Sequence, residues 1–115
     1  HAYDIARGMK RLIQVIRSGG WGPQGTNPII GIIAPPLVTA SDPDGEFAGA
    51  PEVSRKLAPA YQAVAEELGC ACFDAGFVVS TNPLDGIHLD REAHQILGQS
   101  VAAWLQSEVL PLQKS

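Results

Sequence analysis

"IIGIIA", residues 29–34, is the stretch that decides the fold class. A continuous apolar run rich in β-branched residues is typical of a central parallel strand whose two faces are both covered. Pro35 and Pro36 follow directly and end this strand. "CACFDAG", residues 70–76, predicts a second buried strand. Two parallel strands require a long crossover connection between them, which is usually a helix.

Three helices are predicted around these strands. Apolar residues recur at three- and four-residue steps over residues 3–18, over residues 52–68 and from Asp90 onward. Gly69 suits the C-cap of the second helix and Asp90 the N-cap of the third, which Pro111 is expected to close. The order of helix, strand, helix, strand, helix predicts an α/β fold, with helices on both faces of a parallel sheet.

The number of strands is too small for a complete sheet. Two parallel strands leave both outer edges open, whereas a doubly wound domain has about four to six strands. We therefore expect residues 1–115 to form the C-terminal half of a single domain, whose first strands are not in this sequence.

The composition limits which classes of binding partner are expected. The formal net charge is −4 and Lys and Arg form no run, so neither nucleic acid nor an anionic membrane surface is expected to bind. No apolar run approaches the ~20 residues that span a bilayer, and the compartment stays open, with the cytoplasm favoured. Cys70 and Cys72 are expected to be two small buried side chains, since their spacing on a strand suits neither a disulfide nor a structural zinc site.

The segment "NPLDGIHLD", residues 82–90, contains the strongest candidates for catalytic residues. It follows the second strand, and sites in open α/β sheets form beyond the carboxyl ends of the strands. Asp85 precedes His88 by three residues, and a carboxylate there can hold one imidazole nitrogen while the other serves as general base. On spacing alone an alternative stays open, in which Asp85 forms a turn and His88 is an ordinary surface residue.

Other chemical sites are weaker candidates. His88, Asp90 and His94 do not share the geometry of a metal cage, so no metal is expected. Ser80 lies in the same loop as Asp85 and is disfavoured as a nucleophile. The glycine-rich segment 18–25 lacks both the preceding strand and the Lys-Ser or Lys-Thr ending of a phosphate loop.

The segment "FDAGFVVSTNPLDGIHLDREAHQILGQSVAAWL", residues 73–105, resembles the final segment of the SGNH hydrolases, also called the GDSL family. Their last block is D-x-x-H before the C-terminal helix. "IIGIIAPPLV", residues 29–38, is similar to the strand and Pro-Pro segment of the aryl esterase and acyltransferase branch. The resemblance implies a three-layer flavodoxin-like fold and a serine esterase for small or aryl esters, which works through an acyl-enzyme and transfers acyl groups to alcohols as a further activity.

The resemblance also implies roles for individual residues. His88 would be the general base, Asp85 would orient it, and Ile87 would face the substrate. Phe47, in the long connection 37–51, would lie near the pocket mouth, with a packing or oligomer contact as its alternative. No cofactor is implied, and a homo-oligomer is expected.

The family's nucleophilic serine and its oxyanion-hole Gly and Asn belong to upstream blocks that this sequence lacks. The chain alone should therefore be inactive, with the N-terminal half of the same protein as its partner. The competing hypothesis is a non-catalytic binding or assembly domain that keeps a vestigial Asp–His pair.

Overall fold

The computed structural model of the chain describes residues 1–40 and 44–114, and for residues 113 and 114 it describes the backbone alone. Its main elements follow the predicted order. They are helix α1 (Ala2–Ser18), strand β1 (Gly31–Ala34), helix α2 (Ala50–Leu68), strand β2 (Ala71–Asp74) and helix α3 (Arg91–Trp104). The α/β class is thus confirmed, with both strands shorter than predicted.

The two strands pair in parallel. Gly31 lies opposite Ala71 and Ala34 opposite Asp74, so the carboxyl ends of β1 and β2 meet at one edge of the sheet. Helix α2 makes the crossover between the strands. Because the strands are parallel and end at the same edge, the loops that follow them start side by side. Strand β2 ends earlier than predicted because the Asp74 side chain accepts a hydrogen bond from the Gly76 amide at 2.9 Å and starts a 3₁₀ turn.

The core forms where α1 and α2 pack together against one face of the sheet. Its buried members are Ala2, Ala6, Ile13, Ile32, Ala34, Leu57, Tyr61, Val64 and Ala65. Burial along β1 alternates, since Ile32 and Ala34 enter this core while Ile33 keeps 42% of its surface exposed. The helices α1 and α2 cover only one face of residues 29–34, so coverage of the other face stays a prediction.

The opposite face of the sheet contacts α3 through Trp104. The Trp104 ring lies 5.5 Å from the Phe73 ring, and a Cβ on Gly31 would come 2.6 Å from Trp104 Cη2. Trp104 is the buried residue of α3, and the other apolar side chains of that helix keep more of their surface exposed. Glycine at position 31 is what allows the indole to approach the strand.

The caps of α2 and α3 are as predicted. Gly69 ends α2 in the left-handed region, at φ +68°, which costs glycine little. Asp90 begins α3, where its carboxylate accepts from the Ala93 amide at 2.8 Å. Pro111 does not close the helix: α3 ends at Trp104, and helical turns continue over Leu105–Val109 and Leu110–Lys114. Pro111 is tolerated because it lies in the first turn of the last segment, where its missing N–H is not needed.

Cys70 and Cys72 are free thiols. Both are half-buried, which is less buried than predicted. Burial raises the pKa of the Cys72 thiol. Over residues 1–40 and 44–114, no helix combines the length and apolar character needed to cross a membrane.

Candidate active site

Asp85 and His88 form a hydrogen-bonded pair in the loop that follows β2. Asp85 Oδ2 lies 2.8 Å from His88 Nδ1. The other carboxylate oxygen, Oδ1, accepts from the backbone amides of Ile87 at 2.8 Å and of His88 at 3.0 Å. Both carboxylate oxygens therefore take part in hydrogen bonds, and the imidazole is bonded through Nδ1, the ring nitrogen nearer its backbone.

These hydrogen bonds keep Asp85 ionised. They lower the pKa of its carboxyl group from 3.8 to about 2, with the Ile87 amide as the largest cause, followed by the His88 imidazole and the His88 amide. A carboxylate can only accept, so Nδ1 of a neutral His88 carries the proton and Nε2 is left as the basic nitrogen. The pair thus has the form of a general base with its orienting acid.

The imidazole of His88 faces outward. Its side chain is 79% exposed, whereas that of Asp85 is 45% exposed. Burial therefore increases from the imidazole toward the carboxylate that supports it.

The turn that carries the pair is closed by its own hydrogen bonds. The Asn82 backbone amide donates to the His88 carbonyl at 2.6 Å, and the Asn82 carbonyl accepts from the Gly86 amide at 2.7 Å. The Asn82 side chain accepts from the Leu84 amide at 2.9 Å. Gly86 supplies the positive φ of +69°. Sequence reasoning missed Asn82, whose position before Pro83 is a turn signal.

The turn rests on the loop that follows β1. The Thr39 amide donates to the Gly86 carbonyl at 2.7 Å, and the Thr39 and Thr81 hydroxyl oxygens lie 3.1 Å apart. Sequence reasoning missed both threonines. Their spacing of 42 residues has no local periodicity, and only the parallel pairing of β1 with β2 brings them together.

Several solved structures that resemble this chain are esterases. A carbohydrate acetylesterase from Sinorhizobium meliloti matches it at 35% identity with a TM-score of 0.81, over 92% of this chain and 52% of that one. The aryl esterase of M. smegmatis matches at 32% identity and a TM-score of 0.80, over 92% and 52%. The chain belongs to the SGNH hydrolase family. The resemblance predicted from its D-x-x-H block is thereby confirmed.

A third SGNH match is a protein from Agrobacterium tumefaciens put forward as an arylesterase. It is 41% identical with a TM-score of 0.76, over 88% of this chain and 49% of that one. This SGNH chain therefore spans about half the length of the structures it matches. No family model and no curated protein matches the sequence.

The two predicted substrate residues of this SGNH chain lie on different elements. Ile87 is half-buried between Asp85 and His88 and contributes its amide to the Asp85 carboxylate. Phe47 lies in the turn before α2 and is 44% exposed, with its carbonyl accepting from the Ala50 amide at 3.0 Å. Among the described residues, no hydrogen bond or ring contact joins Phe47 to the Asp–His pair, so its pocket role stays a prediction.

The structure also shows where the disfavoured metal ligand and nucleophile candidates lie. His94 is exposed on α3, and its backbone amide bonds the Asp90 carbonyl at 3.0 Å as part of the helix. Ser80 is exposed next to Thr81. Within the described ranges, no three His, Cys, Asp or Glu side chains are grouped as metal ligands would be. A groove of about 450 Å³ between α1 and α2, lined by Tyr3 among others, does not include the Asp–His pair.

Proposed function

We propose that this chain supplies the Asp–His part of the catalytic triad of a serine esterase that acts on small or aryl carboxylic esters. The observation that carries the proposal is the hydrogen bond of 2.8 Å between Asp85 Oδ2 and His88 Nδ1, in a histidine whose side chain is largely exposed. Two matched structures, an aryl esterase and a carbohydrate acetylesterase, support ester chemistry.

In the proposed reaction, Nε2 of His88 accepts the proton of a serine hydroxyl as the serine oxygen bonds to the ester carbonyl carbon. When the tetrahedral intermediate collapses, the bond to the alcohol oxygen breaks and His88 returns the proton to that oxygen. Water then attacks the acyl-enzyme with His88 again as base, which releases the acid and restores the serine. An alcohol in place of water gives acyl transfer, which is part of the proposal. Asp85 stabilises the imidazolium that forms in each half-reaction.

The nucleophile and the oxyanion donors are proposed to come from the N-terminal half of the same domain, which completes a three-layer flavodoxin-like sheet. A two-stranded parallel sheet with open edges supports this, because such a sheet is too small to be stable alone. Apolar side chains that would need cover also support it. They are Ile5, Leu12 and Val15 on α1 and Ile33 on β1, all of them exposed.

The full-length protein is proposed to form a homo-oligomer, which a native mass measurement would test. Its proposed compartment is the cytoplasm. The proposed role of Ile87 in the substrate site is tested by Ile87→Ala, which should change KM for esters of different acyl length without removing turnover.

The test of the function uses the full-length protein that contains this chain. His88→Ala should lower kcat for p-nitrophenyl acetate by about 10⁴-fold or more, because removal of a triad base leaves only the residual catalysis of the other groups. His94→Ala is the matched control, since it removes an exposed histidine of the same chain and should leave kcat unchanged. Turnover retained in folded His88→Ala would contradict the esterase role of the pair and favour the vestigial binding domain.

A further inference from the structure

A buried hydroxyl joins the loop after β2 to the loop after β1. Thr81 is only 7% exposed, and its hydroxyl donates to the Leu37 carbonyl at 3.1 Å. The Thr39 hydroxyl lies 3.1 Å from the same oxygen. A threonine hydroxyl has one hydrogen to give, so Thr39 is the donor in the second bond and Thr81 the acceptor. The Thr81 oxygen is therefore satisfied entirely by the loop that follows β1.

Thr39 makes a second contact with the same turn. Its backbone amide donates to the carbonyl of Gly86, the residue that directly follows Asp85, at 2.7 Å. The turn over residues 82–88 is thus held to the other loop at two points. One point is Thr81, where the chain enters the turn, and the other is Gly86, between Asp85 and His88.

The loop after β1 is itself anchored. The Val38 amide donates to the Ser54 hydroxyl at 3.0 Å, and that hydroxyl donates to the Pro51 carbonyl at 2.9 Å. Ser54 is buried in α2, near its N-terminus. Hydrogen bonds therefore hold the loop after β1 to α2 on one side and to the turn that carries Asp85 and His88 on the other.

We infer that Thr81 is a positioning residue for the Asp85–His88 pair, with its buried hydroxyl setting the turn against the loop that follows β1. This inference rests on the esterase function proposed above. The Asn82–His88 hydrogen bonds shape the turn internally, but they do not determine where the turn stands in the domain. The bonds of Thr81 and Thr39 do so. A shift of about 1 Å in the position of a catalytic group can cost about 10²-fold in rate, which makes this placement matter for Nε2 of His88.

The experiment compares three variants of the full-length protein. Thr81→Val keeps the shape of the side chain but removes the hydroxyl, and kcat for p-nitrophenyl acetate should fall about 10- to 100-fold with KM changed less than about twofold. Thr81→Ser keeps the hydroxyl and should restore kcat to within about threefold of wild type. Ser80→Ala is the matched control, because it removes the exposed hydroxyl next door. Each kcat is expressed per active site, counted from the acyl-enzyme burst.

A second measurement separates positioning from a merely structural role. If Thr81 acts through the Asp–His pair, Thr81→Val should add less than about threefold to the loss already caused by Asp85→Asn, because coupled residues are not additive. A role in folding alone would lower the active fraction equally in both backgrounds and leave kcat per active site unchanged. Full additivity of the two kcat losses would therefore overturn the inference.

The outcomes distinguish this inference from the function on which it rests. An unchanged kcat in folded Thr81→Val, together with loss of activity in His88→Ala, overturns the inference and leaves the esterase function intact. Retained activity in His88→Ala overturns both. If Thr81→Val does not fold, Thr39→Val decides, since its side chain is more exposed and it removes only the second hydrogen bond. Thr39→Val should lower kcat about threefold to tenfold, and an unchanged kcat there also overturns the inference.

Discussion

Gly86 lies directly against the backbone of Thr39. A Cβ on Gly86 would come 2.6 Å from the carbonyl carbon of Thr39 and still closer to the amide nitrogen of Ala40. Backbone atoms cannot move aside as a flexible side chain can. Together with a φ of +69°, this contact explains why the residue directly after Asp85 has no side chain. The turn that holds the pair is pressed onto the loop that follows β1.

Gly86→Ala should therefore destabilise the full-length protein and lower the proposed esterase activity. We expect the free energy of unfolding to fall by about 1–3 kcal/mol, from the close contact and the positive φ together. Gly98→Ala is the matched control, because Gly98 lies inside α3 with open space around it. That variant should be more stable by up to about 1 kcal/mol, since alanine is the better helix former. Denaturant melts measure both, and equal effects at the two glycines would contradict the contact.

The Asp85 carboxyl group should titrate far below an ordinary aspartate. Its pKa of about 2 lies under the usual 3.8, so the ionised group contributes stability that is complete above about pH 4 and is lost as pH falls through about 2. The ¹³C shift of the side-chain carboxyl in the full-length protein measures this midpoint. His88→Ala removes one of the three hydrogen bonds and should move the midpoint upward, toward 3.8. A wild-type midpoint near 3.8 would show that the hydrogen bonds do not form in solution.

Arg17 should stabilise the junction between α1 and the end of α2. Its guanidinium donates to the Leu68 carbonyl and to Cys70 Sγ, the latter at 3.4 Å. A cation there satisfies a terminal helix carbonyl and complements the helix dipole. Arg17→Met should lower the free energy of unfolding by about 1–2 kcal/mol, whereas Arg11→Met on the exposed side of α1 should change it by less than about 0.5 kcal/mol. Similar effects of the two variants would rule out this contribution of Arg17.

The 115-residue chain expressed alone should not form a cooperatively folded monomer. The described part of the chain forms a sheet of two strands, and apolar side chains such as Ile33 and Leu12 keep large exposed surfaces. We expect aggregation or a broad, non-cooperative thermal transition by circular dichroism. The full-length protein, melted under the same conditions, is the reference and should show one sharp transition. A sharp transition from a monomer of the isolated chain would contradict the half-domain proposal.

Local chemistry explains why much of this fold was predictable. Helix α2 ends at Gly69 and α3 begins at Asp90 because the residues at those positions suit the backbone geometry of a cap. The order of helices and strands follows from hydrophobic periodicity, which the chain carries in sequence. The depth of burial was less predictable. Ile33 is partly exposed although its run is wholly apolar, because burial depends on which other elements cover that face.

The sequence by itself determined that Asp85 and His88 meet, since Asn82 and Gly86 fold the turn with hydrogen bonds that span only a few residues. Only the tertiary structure decided where that turn stands. Thr39 and Thr81 are far apart in the chain, and they come together because β1 and β2 pair in parallel and end at the same edge of the sheet. A hydrogen bond between distant residues leaves no periodic pattern in sequence, because its geometry is set by the packing of whole elements.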